Sequence, residues 1–162
     1  MTSDQPPQSG QYGHPGAYPP RGGGQPGGLG VRLGARLIDG VIVGIVGTIL
    51  VVAVGATSNV WVTGLFTGVL TFVYYVALEV TQGATLGKKL LGLSVRGPGG
   101  AAKPTAAQSA IRNSWTLLPI IPFIGGLLGV VAIVVIAVTI NGSPTKQGKH
   151  DELAGGTQVV KA

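Results

Sequence analysis

The 162-residue chain contains no cysteine, and only 10% of its residues are charged. The first absence removes disulfides, thiol nucleophiles and thiolate metal ligands. The second is unusual, because soluble domains carry about 25% charged residues. So few charges cannot coat a water-facing surface, so much of the surface is expected to face lipid. Histidine is nearly missing too: His14 and His150 are the only two, and they form no metal constellation with other ligands. No Ser/His/Asp triad spacing and no Gly-x-Ser-x-Gly elbow is present, and the chain is read as a non-enzyme without a cofactor. The 11 Lys and Arg against 5 Asp and Glu are not interleaved with aromatics. The excess therefore points to membrane topology and anionic lipid headgroups, and away from nucleic acid.

Proline and glycine are abundant but unevenly spread. Half of residues 1–28 are Pro or Gly, from Pro6 and Pro7 to Gly27 and Gly28. Such a head buries too little apolar surface to offset its chain entropy, so it is expected to be disordered. No apolar run follows the start, so it does not read as a signal peptide. Tyr12 and Tyr18 in it are candidate partner-binding or modification sites; incidental tyrosines in a solvated tail are the plainer reading.

Residues 29–162 form the second unit, an all-α membrane bundle of three apolar segments. The spans run over about 37–56, 60–80 and 117–140, each close to or above the ~20 residues needed to cross hydrocarbon. β-branched residues are common, but a lone strand in lipid leaves its backbone unsatisfied. Arg21, Arg32 and Arg36 precede the first span. Lys88, Lys89, Arg96, Lys103 and Arg112 lie between the second and third, whereas the link at 55–59 is uncharged. By the positive-inside rule the N-terminus and the 81–116 loop are cytoplasmic in a multi-pass plasma-membrane protein. Trp61 and Trp115 then mark the outer and inner interfaces. Lys146, Lys149 and Lys161 also belong inside, which one straight third span would forbid. Pro119, Pro122, Gly125 and Gly126 suggest a broken hairpin instead, descending from about Thr105 and returning over 124–140; three plain spans fit as well. Glycine pairs at four-residue spacing, Gly40/Gly44, Gly64/Gly68 and Gly125/Gly129, favour close helix packing and a homo-oligomer.

Arg36 and Asp39 share a helix face with Gly40, Gly44 and Gly47, and Glu79 ends the second span on the same side. An Arg36–Asp39 pair joined by Glu79 is the expected inner-leaflet cluster, read either as an ion, proton or ligand site or as a structural lock between helices. Gly83-Ala-Thr-Leu-Gly-Lys-Lys has the wrong spacing for a nucleotide loop. It reads as a turn capped by Thr85, followed by an amphipathic stretch. There Leu86, Leu90, Leu91 and Leu93 dip into headgroups while Lys88 and Lys89, with Arg96 and Arg112 beyond, meet phosphates. Leu93–Arg96 and Gln158–Lys161 are short runs able to pair as two strands. His150 beside Asp151 is either a proton-relay pair or, more plainly, a turn with Asp151 capping a short helix.

In this order, Arg36-Leu-Ile-Asp39, Gly83 to Val95, Arg112-Asn113 and His150-Asp151 to Val160 resemble the RDD family of bacterial membrane proteins, named for one arginine and two aspartates. Asp151 matches the second aspartate. One extra residue at Gly155-Gly156 departs from the pattern. The resemblance implies a membrane domain, with Arg36, Asp39 and Asp151 as motif residues. It also implies transport of unknown ligands, including cation/proton exchange. The alternative is a structural or adaptor membrane protein whose head recruits a protein partner.

Overall fold

The structure is a computed structural model that describes residues 24–162. Tyr12, Tyr18, His14 and most of the expected disordered head lie outside the described residues. Three helices are long and apolar enough to cross a membrane: α1 (Leu29–Ala53), α2 (Val60–Gln82) and α5 (Gly125–Gly142). Between α2 and α5 come α3 (Leu86–Leu90), β1 (Leu93–Arg96), α4 (Ala106–Asn113) and a 3-10 segment, Ser114–Ile120. After α5 come α6 (Lys149–Leu153) and β2 (Gln158–Lys161). The bundle is inside-out relative to a soluble protein. Large aliphatics along α1 point outward, Leu37, Val41, Ile45 and Ile49 all being more than half exposed. The small apolar core, Ala35, Leu93, Val95 and Val159, sits instead at the end of the bundle, under a two-stranded sheet.

Local chemistry sets the helix boundaries. The Asn59 side chain accepts hydrogen bonds from the Trp61 and Val62 amides and starts α2. Gly83, at φ 70°, closes it in the left-handed conformation that glycine adopts without penalty. Thr105 and Gln108 form a reciprocal capping box at the start of α4. The first helix begins eight residues before the expected position 37, taking Arg32 and Arg36 into its first turns.

The third predicted span does not run straight from 117 to 140. Its first residues belong to a descending limb, α4 plus the 3-10 segment, lying along α2. Ser109 and Asn113 reach Glu79 near the end of α2, and Pro119 reaches Gly64 near its start. Pro119 and Pro122 keep this limb from being one regular helix. The chain reverses at 121–124, with Phe123 in the left-handed region at φ 64°, and α5 returns. Gly64, Gly68 and Gly125 make the close approach possible, since a Cβ on any of them would overlap this limb. Gly40, Gly44 and Gly129 have nothing within 4 Å of a built Cβ, so those pairs do not pack helices within the chain.

The hairpin puts residue 162 at the same end as residue 24. β1 and β2 pair with each other as expected, and the pairing is antiparallel, with Leu93 opposite Lys161 and Arg96 opposite Gln158. Residues 25–27, placed in the head by composition, also join this patch. Pro26 bridges to Val160, and the Gly27 amide donates to the Val159 carbonyl at 2.8 Å. Leu93 is therefore a core residue, 1% exposed, and does not dip into headgroups as expected; Leu86, Leu90 and Leu91 remain exposed.

Because the native chain has no cysteine, the hairpin can be tested directly. Ser94→Cys with Val160→Cys, opposite each other in the sheet, is expected to crosslink within one chain on mild oxidation. A third span running straight across the membrane would separate these positions and give no intramolecular crosslink.

Candidate functional site

Five acidic residues occur in the chain, and three of them, Asp39, Glu79 and Asp151, are fully buried at the sheet-bearing end of the bundle. Each joins segments far apart in sequence, and each has a different set of partners.

Asp39 does not pair with Arg36. Its Oδ1 accepts from the Tyr74 hydroxyl at 2.7 Å and the Gly87 amide at 2.7 Å, and its Oδ2 accepts from the Thr85 hydroxyl at 2.6 Å. A side chain at position 87 would collide with the Ala35 carbonyl and the Asp39 carboxylate. The Gly-Ala-Thr-Leu-Gly run is thus a loop built to bring an amide and a hydroxyl against this carboxylate. Three hydrogen bonds to the charged form compensate its burial without a cation.

Glu79 takes an ion pair from Lys88 on Oε1 and hydrogen bonds from Ser109 (2.8 Å) and Asn113 (2.9 Å) on Oε2. Lys88 is only 8% exposed, so it turns inward and does not meet lipid phosphates. Lys89 stays exposed, bonded to Gln82, and Arg96 is half-buried in β1.

Asp151 binds Arg32 at 2.9 Å and Arg112 at 3.2 Å, and also accepts from the Gly148 amide and the Thr157 hydroxyl. Arg32 also donates to the Lys146 carbonyl at 2.7 Å. Arg112 is therefore buried, 3% exposed, and is no headgroup contact. Asp151 does not cap α6 as expected; it stands three residues inside and reaches back to Gly148, the capping residue. Burial alone would raise the Asp151 carboxyl, but Arg112 and Arg32 outweigh it and hold it below the usual carboxylate range. His150 lies 3.6 Å from Asp151, beyond hydrogen-bond reach, and burial with the nearby Arg112 and Arg32 lowers its pKa from 6.5 to about 3. It is a neutral imidazole at physiological pH, which does not suit a relay.

Arg36 stands apart from the carboxylates. Its guanidinium lies 3.8 Å from the Tyr75 ring and 4.2 Å from the Trp115 ring, a cation held between two aromatic faces. No carboxylate lies within 4 Å of it among the described residues. Trp115 is thus a partner of Arg36 as well as an aromatic near the interface.

Arg36 and the neighbouring cations line a partly open cavity of about 70 Å³, room for a few waters or one small ligand group. Its polar wall holds Arg32, Arg36, Lys88 and Arg112, and no carboxylate oxygen lines it. Trp115, Asn113 and His150 complete that wall. Three nitrogens of these residues, Arg112 Nη1, Trp115 Nε1 and His150 Nδ1, are buried behind this wall with no hydrogen-bond partner among the described residues. The opposite wall is aliphatic, from α1 and α5. Residue spacing pointed to Arg36, Asp39 and Glu79 and the family resemblance to Asp151, but Arg32, Thr85, Ser109 and Asn113 were missed as partners of the carboxylates. The Ser109/Asn113 four-residue spacing on a capped helix was the available signal for the last two.

The family model described as RDD family matches residues 26–155. The chain belongs to the RDD family. No curated protein and no solved structure gives a significant match. The RDD domain of this chain, with its three apolar helices, is an integral membrane domain. Its motif residues divide between two jobs: Asp39 and Asp151 bind the chain to itself, whereas Arg36 faces the cavity.

Two outcomes follow from these contacts. Asp39→Ala would leave the Gly87 amide and two hydroxyls without their acceptor, at about 1–3 kcal/mol for each stranded buried group. Asp39→Asn, which keeps one acceptor oxygen, should be milder. Thermal unfolding in detergent should rank the three proteins wild type, Asn, Ala.

Acid should act in two steps. Between about pH 3 and 6.5 the folded imidazole of His150 binds fewer protons than the unfolded one. Stability therefore rises with pH across that window and is complete above it. Asp151, with its folded pKa lowered, contributes stability that is present above about pH 4 and lost as pH falls further. His150→Gln should flatten the upper limb of a melting-temperature profile and leave the lower one.

Proposed function

We propose that this RDD domain binds a small anionic ligand in a membrane-embedded basic cavity, as a transport-associated and non-catalytic protein. The observation that carries this reading is the imbalance of charge at the cavity. Four cations, Arg32, Arg36, Lys88 and Arg112, line it, while two carboxylates, Glu79 and Asp151, pair with three of them. An uncompensated guanidinium at the edge of hydrocarbon is costly, and an anion would offset that cost. The Arg36 guanidinium, free of any carboxylate within 4 Å among the described residues, supplies donors for oxyanion atoms.

Cation/proton exchange, the other activity that the resemblance implies, draws less support. Each buried carboxylate already receives at least three donors, so a cation would have to displace several of them. The positive-inside distribution supports placing the cavity, both described termini and the sheet on the cytoplasmic side of the plasma membrane. One chain offers thin walls for a translocation path. The open face along Gly40 and Gly44, opposite Thr63, Thr67 and Thr71, supports assembly with further copies.

Purified protein in detergent should show a melting temperature that rises with inorganic phosphate or sulfate at constant ionic strength. Arg36→Gln should weaken that response by about 10-fold or more, the worth of one charged hydrogen-bond donor. An equal response in wild type and Arg36→Gln, or stabilisation by alkali cations alone, would count against the reading.

A further inference from the structure

Building on the anion-site reading, we infer that the anion is the phosphate ester of an anionic membrane lipid, which reaches the cavity sideways between α1 and α5. Three observations converge on an amphiphile.

The first is the two-sided lining. Beside the cationic wall stand Leu33, Ile133, Ile136 and Ala137. A soluble anion gains nothing from an aliphatic wall, whereas a lipid has an acyl or glycerol portion to lay against it. The second is the direction of the opening. Leu33 and Ile133 both line the cavity and are each 39% exposed, so the aliphatic edge of the cavity belongs to the outward surface that carries the lipid-facing stripes of α1 and α5. At the sheet-bearing end, His150 of α6 lines the cavity, and Arg32 on its wall is tied to the Lys146 carbonyl and to Asp151. The third is depth. At 25 residues α1 is about 37 Å long, longer than the ~30 Å hydrocarbon core. Its first turns therefore reach the headgroup layer, and Arg36, about 10 Å from the start of the helix, lies just beneath it. A phosphate held from below by Arg36 would sit where lipid phosphates ordinarily lie.

The test uses the full chain in phosphatidylcholine nanodiscs, with and without phosphatidylglycerol. The readouts are the lipid retained per chain after detergent exchange, by native mass spectrometry, and the melting temperature. Wild type should keep one phosphatidylglycerol per chain. Retention should fall at least ~10-fold in Arg36→Gln, fall in Ile133→Trp, which fills the aliphatic gap, and persist in Lys89→Gln, whose charge lies outside the cavity. Ala137→Leu, a smaller filling, gives the same comparison if Ile133→Trp does not fold. Equal retention in all variants would overturn the inference, because surface charge alone would then explain it. Stabilisation by inorganic phosphate, with no retained phosphatidylglycerol and no competition between the two, would overturn the lipid source but leave the anion site standing. No response to either would remove both readings.

Discussion

A charge placed at the edge of hydrocarbon must find its counter-charge or its hydrogen bonds within the protein, and this constraint organises the whole domain. Water is not available there to solvate a carboxylate, and leaving one unpaired costs several kcal/mol. The chain therefore folds its polar connecting segments onto three carboxylates. Asp39 collects the loop after α2, Glu79 collects α3 and α4, and Asp151 collects α1, α4 and the turn before α6. Remove those anchors and little apolar burial remains to hold the end of the bundle, because most large aliphatics face outward.

The same economy explains the glycines that matter. Gly87 lets a backbone amide reach Asp39, Gly64 and Gly68 let the Ser114–Ile120 limb lie flat against α2, and Gly125 lets α5 start against the same limb. That limb is neither a span nor a loop. Its proline-broken backbone is tolerated because α2 and α5 cover it, and it brings Trp115 to the place where Arg36 needs an aromatic face. A broken helix thus supplies one side of the cavity while α1 supplies the other.

Much of this was legible in the residues themselves. Long apolar runs gave the membrane helices, and basic residues on both sides of the third run favoured the hairpin over three plain spans. Two short runs, alternating or β-branched and each ending in a cation, gave the strand pairing, and the structure adds its register. Charge partners were less legible. Arg36 and Asp39 stand three apart on one helix face, which suggests an ion pair, yet Arg36 turns to Tyr75 and Trp115 and Asp39 to the 85–87 loop. Helical spacing reports which residues share a face; it does not report which distant loop will fold onto that face. Lys88 and Arg112 were read as surface cations for the same reason: in a sequence, a lysine beside an interface looks alike whether it points to phosphate or to a glutamate nine residues back.

In the proposed division of labour, carboxylates hold the fold and the cations around Arg36 are left to bind an anion. Anomalous diffraction from crystals soaked in rubidium bromide would test it most directly. A bromide peak between Arg36, Arg112 and Trp115, with no rubidium at Asp39, Glu79 or Asp151, is the predicted result. Rubidium bound to one of those carboxylates, with no bromide among the cations, would contradict it.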